Sequence, residues 1–385
     1  MLPTQLVGEV INGLKSYVTS GFETNTPYFS GMFTRFVNAP GKLYKGPWLS
    51  MSLPFKQGNH SRDFFKSFKT QFPPYLHQEL AWKRIASDQI GRSTIIATGT
   101  GSGKTECFLY PMLDHCARQR QKGIKAIVIY PMNALATDQA KRFAKEIFNA
   151  PDLKGKLRVG LFVGGREEKT IKSMAIDSVI TDKDSLRADP PDILLTNYKM
   201  LDFLLIRPVD RQLWRHNGPE TLRYLVVDEL HTFDGAQGTD LACLIRRLKG
   251  RLLTTEFYSS LICVGTSATL GSDKGAEELK DYAHHIFKSE FDSQSVITEQ
   301  RQGTDEFLVD PIEFVPREIQ DLKEILDPMA WPNVNVWLDR LFSFYFNDQL
   351  TQNWESKDAR IALGRLLKRH LLFNNLLRLL SKAPL

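Results

Sequence analysis

One segment constrains this chain more than any other: Ala97-Thr98-Gly99-Thr100-Gly101-Ser102-Gly103-Lys104-Thr105. It follows an apolar run, Ser93–Ala97, and leads into a helical stretch. Glycines at 99, 101 and 103 let the backbone come close to a polyanion and turn several N–H groups inward. The N-terminus of the following helix adds a favourable dipole. In such a loop Lys104 reaches the β- and γ-phosphates of a nucleotide, and the Thr105 hydroxyl ligates Mg²⁺. An ordinary glycine-rich turn would explain the glycines, but not the strand, the Lys-Thr pair and the helix together.

The rest of the middle of the chain fits the fold this loop requires. Short apolar runs at Ser93–Ala97, Lys125–Tyr130, Arg158–Val163, Asp192–Leu195, Tyr224–Val227 and Leu261–Gly265 alternate with amphipathic stretches. The latter start near Lys104, Ala134, Asn197, Thr239 and Gly275. Nearly continuous apolar strands alternating with helices predict an α/β fold, a parallel sheet covered on both faces. Ligands of such sheets bind at the carboxyl ends of the strands. Beyond about Phe291 the alternation stops, and residues 311–385 read mostly as helix, including the leucine-rich Ile361–Leu380. The predicted organisation is therefore an N-terminal extension over 1–74, a nucleotide-binding domain over 75–290 and a mainly helical segment over 291–385.

The second chemical feature is an acidic pair, Asp228-Glu229, at the end of the run Tyr224–Val227. Two adjacent acids are often only a solvated turn. After a buried strand, in a chain with a phosphate loop, they acquire separate roles. Asp228 can hold Mg²⁺ through its waters, and Glu229 can polarise the attacking water as general base. His231 taken alone reads as a structural histidine.

Composition narrows the class further. The four cysteines, at 107, 116, 243 and 263, form no C-x-x-C pair, which argues against zinc and for a reducing, cytoplasmic setting. No run of about 18 apolar residues predicts a membrane span. The net charge of +6 is unevenly spread: residues 1–74 carry eight basic and three acidic side chains, residues 355–385 seven and two, and the part between is mildly acidic. Basic flanks permit nucleic-acid contact, as they permit a merely solvated surface. Between Phe55 and Phe72, Lys56, Arg62, Lys66 and Lys69 interleave with Phe64, Phe65 and Phe68. That pattern suits either a base-stacking surface or phenylalanines that pack the extension onto the next domain.

Taken together, these motifs resemble the N-terminal RecA-like motor domain of superfamily 2 DEAD/DEAH-box helicases. Ala97–Thr105 is similar to helicase motif I, commonly of the form A-x-x-G-x-G-K-T. Asp228-Glu229-Leu230-His231 resembles motif II, Ser267-Ala268-Thr269 motif III, and Tyr130-Pro131-Met132-Asn133-Ala134-Leu135-Ala136 motif Ia. Tyr75-Leu76-His77-Gln78 is similar to the upstream glutamine element. The stretches Tyr130–Gln139 and Asp228–Leu248 look most like the large MrfA-like and Lhr-like bacterial helicases, with the Druantia defence helicase in the same neighbourhood. The resemblance implies ATP and Mg²⁺ as cofactors. It places the nucleotide on Gln78, Thr98, Gly99, Thr100, Gly101, Ser102, Gly103, Lys104 and Thr105, and Mg²⁺ on Thr105 and Asp228. It implies coupling through His231, Ser267, Ala268 and Thr269, and strand contact through Pro131, Asn133, Gly164, Gly165, Thr196 and Asn197. A nucleic-acid partner, DNA more than RNA, 3′→5′ polarity and a place in antiviral defence or repair are implied on the same footing.

A motor of this class needs a second RecA-like domain, whose motif Q-R-x-G-R-x-x-R supplies arginines to the ATP site. The nearest match, around Gly364-Arg365, has Ile361 and Ala362 in the first two positions and sits in a leucine-rich helical pattern. The second domain is therefore expected elsewhere, in cis or in trans, and the chain alone is expected to turn over little ATP. Two other functions fit the same residues: a duplex translocase that does not unwind, and a nucleotide-dependent binding module without turnover. Strand- and triplex-displacement assays on the intact protein separate the first from a helicase, and full nucleic-acid-stimulated ATPase from residues 1–385 alone would count heavily against the second. A plain P-loop kinase leaves Ser267–Thr269 and Tyr130–Ala136 unexplained.

Overall fold

In the computed structural model the described residues are 3–22, 26–39, 41–43, 51–86, 91–165, 170–253, 260–268, 273–315, 327, 331–346 and 353–382. They divide into two compact units, Pro54–Arg301 and Met1–Leu53 together with Gln302–Leu385.

The unit Pro54–Arg301 is built on one seven-stranded sheet. Its strands are β1 (Thr94–Ala97), β2 (Ala126–Tyr130), β3 (Val159–Phe162), β4 (Ile193–Asn197), β5 (Tyr224–Val227), β6 (Ile262–Ser267) and β7 (Val296–Thr298), in the spatial order β3-β4-β2-β5-β6-β1-β7. Every pairing is parallel. The register aligns the carboxyl ends along one rim: Ala97 pairs with Ser267 and Thr298, Val227 with Gly265, and Tyr130 with Asn197.

Successive side chains of a strand point to opposite faces, so each strand feeds two cores. Ile96, Val128, Tyr130, Tyr224 and Val226 pack with α3 (Leu76–Ile85), α4 (Lys104–Arg118) and α5 (Asn133–Asn149). Ile95, Ile127, Ile129, Leu225 and Val227 pack on the other side with α7 (Tyr198–Ile206), α8 (Gly235–Leu252) and α9 (Asp273–Phe287). The short α6 (Lys183–Ala188), N-capped by Asp182, lies between β3 and β4 in sequence. Burial on both faces explains why the strands read as unbroken apolar runs.

The aromatic stretch after Phe55 takes the packing alternative. Phe65 and Phe68 are buried and stacked on each other, and Phe64 and Phe65 both lie against Trp82 of α3. Two elements differ from the sequence reading. The alternation does not stop at Phe291: β7 adds a strand at the sheet edge beside β1, too short, with one buried residue, to show a period. The N-terminal part, read from its turn residues, contains a helix, α1 (Pro3–Gly21), where Val7, Val10, Ile11, Leu14 and Val18 recur at helical spacing. Of the turn signals there, Gly41 has φ +71°, and Pro40, Gly46 and Pro47 lie outside the described residues.

The described helices of the other unit are α1, α2 (Met32–Asn38), α10 (Thr304–Phe307), α11 (Val334–Phe346), α12 (Lys357–Lys368) and α13 (Leu371–Lys382). Its small core gathers Phe342, Phe346 and Trp354, whose indole N–H donates to Asp339 at 2.7 Å. Gly364 and Arg365 lie inside α12. Among the described residues no helix is long and apolar enough to cross a membrane.

Phe65 offers a test of the packing. Truncation of a buried phenylalanine costs about 3–5 kcal/mol, so Phe65→Ala is expected to lower the urea midpoint of the sheet unit strongly. A surface phenylalanine would leave that midpoint in place.

Candidate nucleotide site

The rim formed by the carboxyl ends of β1, β5 and β6 holds a cavity of about 620 Å³, within the range of small-molecule sites. Its floor is the loop between β1 and α4. Gly101 and Gly103 take φ of +79° and +81°, which L side chains rarely adopt. A Cβ at Gly103 would also collide with Gln78 Nε2. Gly99, Thr100, Gly101, Gly103, Lys104 and Thr105 all line the cavity.

Thr98 and Ser102, expected beside these residues, are placed differently. Both are fully buried, and their hydroxyls bond to each other at 2.7 Å, tying the loop across its base. Gln78 lines the cavity, but its side chain is engaged with the protein: its Oε1 accepts from the Tyr75 N–H at 2.9 Å and its Nε2 donates to the Gly103 carbonyl at 3.3 Å.

The acidic pair stands opposite the loop. The Lys104 ammonium donates to Glu229 Oε1 at 3.3 Å and to the Ser267 carbonyl at 3.1 Å. Glu229 has φ +49° and ψ +50°, a left-handed conformation that costs a non-glycine residue about 1–2 kcal/mol. One buried hydroxyl holds this turn: Thr266 Oγ1 accepts from the Glu229 N–H at 3.0 Å and donates to Asp228 Oδ1 at 2.5 Å. Burial raises the Asp228 pKa above the ordinary carboxylate value, with the neighbouring Glu229 charge adding to the effect and the Thr266 bond and Lys104 opposing it. His231 Nδ1 lies 3.3 Å from Ser267 Oγ and 3.5 Å from Glu229 Oε2. Ala268 is exposed, and Thr269 lies outside the described residues.

Several wall residues carried no sequence signal. From α5, Gln139 Oε1 accepts from the Thr105 hydroxyl at 3.4 Å, and Arg142 donates to the same hydroxyl at 3.2 Å while pairing with Glu106. Polar positions three apart on an amphipathic helix look like solvated surface. Gln57, Phe72 and Pro73 also line the cavity, with Tyr75 of the upstream glutamine element beside Gln78. Thr105 and Asp228 present hard oxygen donors, a hydroxyl and a buried carboxylate, to one cavity, so the residues fit Mg²⁺.

Farther along the same rim the structure joins three of the expected strand-contacting residues. Asn133 donates to the Gly164 carbonyl at 3.1 Å, and Asn197 donates to Asn133 Oδ1 at 2.6 Å while capping α7. Gly165 is exposed and Pro131 half-buried. Thr196 is fully buried, with its hydroxyl on the Phe162 carbonyl at 2.7 Å, so its side chain braces β3 against β4.

A phosphate loop facing an acidic strand end on a parallel RecA-like sheet defines a P-loop nucleoside triphosphatase core. The DEAD/DEAH box helicase family model matches residues 75–277, and the chain belongs to that family. The Druantia protein DruE of Escherichia coli (strain UMEA 4076-1) is 25% identical over 79% of this chain and 23% of its own length. The uncharacterized ATP-dependent helicase YprA of Bacillus subtilis is 33% identical over 52% of this chain and 23% of its own. A crystal structure of the helicase MrfA shares 28% identity over 54% of this chain and 29% of that one, with a TM-score of 0.41. The chain thus spans about a quarter of the length of these relatives.

The Asp228 environment sets a pH signature. An acid whose pKa is raised by folding favours the folded state at low pH, and that advantage is lost as pH rises through the folded value. Asp228→Asn, without a charge to bury, is therefore expected to melt at a higher temperature than the wild type at pH 8. The gap should close as pH falls below the carboxylate range. A gap that does not change with pH would mean Asp228 is not titrating in a buried setting.

Proposed function

We propose that this chain is the ATP-binding half of a nucleic-acid helicase or translocase, acting on DNA with 3′→5′ polarity. One observation carries the reading: Lys104 lies 3.3 Å from Glu229, on the same rim and in the same cavity as Thr105 and Asp228. The Lys104 ammonium pairs with Glu229. An incoming triphosphate competes for that ammonium and leaves Glu229 free to accept a proton from water. Thr105 and Asp228 would hold Mg²⁺, which supplies charge stabilisation to the phosphates when bound. The adenine is assigned to the part of the cavity near Gln78, which Phe72 and Tyr75 also line.

Strand contact is assigned to the cluster of Asn133, Gly164 and Asn197, with Pro131 and Gly165 beside it. Asparagine amides and exposed backbone suit phosphodiester contacts, which position a strand without reading its sequence. Ser267 and His231 stand between Lys104, Glu229 and the rest of the rim, which supports a relay of the nucleotide state. A second RecA-like domain, in cis or in trans, supplies the arginines that complete the site. Comparable arginines are worth about 10³–10⁵ in rate, so the chain by itself is assigned binding with little turnover.

The test uses the intact protein. Glu229→Gln should lower DNA-stimulated ATP hydrolysis by about 10²–10⁴, the usual contribution of a general base, while Mg·ATP binding persists. Wild-type turnover in that variant would remove Glu229 from the role.

A further inference from the structure

The phosphate loop is held from outside as well as from within. The Gly99 N–H, at the start of the loop, donates to Glu299 Oε2 at 2.6 Å. Glu299 follows β7 directly, and neither the sequence motifs nor the helicase chemistry assigns it a role. Its other oxygen accepts from Arg301 Nε at 2.9 Å. The Arg301 guanidinium lies over the Phe55 ring, 4.1 Å from its centroid. Phe55 packs edge-on against His77, with ring centroids 5.4 Å apart, and His77 Nε2 bonds to the Ser102 carbonyl at 2.9 Å. Burial lowers the His77 pKa, so the neutral ring donates this bond. The contacts thus leave the loop at Gly99 and return to it at Ser102.

The backbone closes the same circuit. Phe55 and Arg301, at the two ends of the sheet unit, form an antiparallel bridge, and the Lys56 N–H donates to the Gln300 carbonyl at 2.8 Å.

A carboxylate is an odd neighbour for a polyanion site. Glu299 is only 14% exposed, so water screens it little, and its charge bears on any phosphate in the loop. Arg301 offsets that charge. We propose that Glu299 is a positioning residue that fixes the entry of the phosphate loop through the Gly99 N–H, and that Arg301 balances its charge so that the loop still accepts a triphosphate. The proposal rests on the reading of the cavity as an ATP site and adds a control element to it.

The test measures affinity of the full 385-residue chain for Mg²⁺ and a fluorescent N-methylanthraniloyl ATP, with melting temperature recorded for each variant. Arg301→Met exposes the triphosphate to the unbalanced carboxylate and should weaken binding about three- to tenfold, more at low salt than at high salt. Glu299→Gln keeps an acceptor for Gly99 without the charge and should bind at least as well as wild type. Glu299→Ala loses the acceptor and should bind more weakly than Glu299→Gln. The double variant Glu299→Gln/Arg301→Met should recover wild-type affinity, an outcome that a packing role for Arg301 alone would not give.

Saturable, Lys104-dependent binding that is equal in all four variants would overturn the brace and leave the ATP site standing. An unrescued double variant would overturn the charge balance. Lack of saturable binding in the wild-type chain, or binding equal in Lys104→Ala, would overturn the ATP reading and the brace with it.

Discussion

The Lys104 ammonium touches Glu229 at 3.3 Å and the Ser267 carbonyl at 3.1 Å, and this three-way contact sets the tolerance for much else. Lys104 begins α4 after β1, Glu229 follows β5, and Ser267 ends β6. A lysine side chain can meet both partners only if the three strand tips are level. The parallel register makes them level, with Ala97 beside Ser267 and Val227 beside Gly265. A slip of one residue along any of these strands would turn every side chain to the opposite face and separate the groups. Close packing on both faces of β1, β5 and β6 resists that slip, because a shifted side chain would no longer fit the neighbours of its new face.

Much of this arrangement could be read before the fold was known, for a physical reason. Strands buried on both faces must be apolar throughout, so they stand out in the sequence, and their carboxyl ends mark where ligands gather. The phosphate loop and the acidic pair lie at such ends, and both line the cavity. What was not legible depends on partners distant in sequence. Thr266 and Ser267 extend β6 past Gly265, where their polarity looked like the end of the strand. Their hydroxyls are buried because Asp228, Glu229 and His231 stand ready to receive them. Thr98 and Ser102 satisfy each other behind the loop, and Thr196 braces β3 instead of facing the rim. Gln139 and Arg142 gain meaning only from Thr105 across the helix packing. β7 pairs with β1 although some 200 residues separate them, and nothing within three residues of sequence could announce it.

The acidic pair also carries a local cost in stability. Asp228 is buried with its pKa raised, and Glu229 holds a left-handed backbone. Each is unfavourable alone, and such features persist only where the surroundings over-determine them. Here the surroundings are specific. Thr266 serves both acids with one hydroxyl, and the Asp228 N–H bonds to the Ile129 carbonyl of the neighbouring strand at 2.9 Å. Glu229 is thereby held by its backbone, while its carboxylate is only half-buried and paired with Lys104. The general-base role proposed for Glu229 draws on that combination of a fixed backbone anchor and a carboxylate paired with a side chain that phosphate would attract. On the proposed reading, the burial that makes Asp228 costly to ionise would also favour a cation beside it, since a buried carboxylate gains more from a positive charge than a solvated one does.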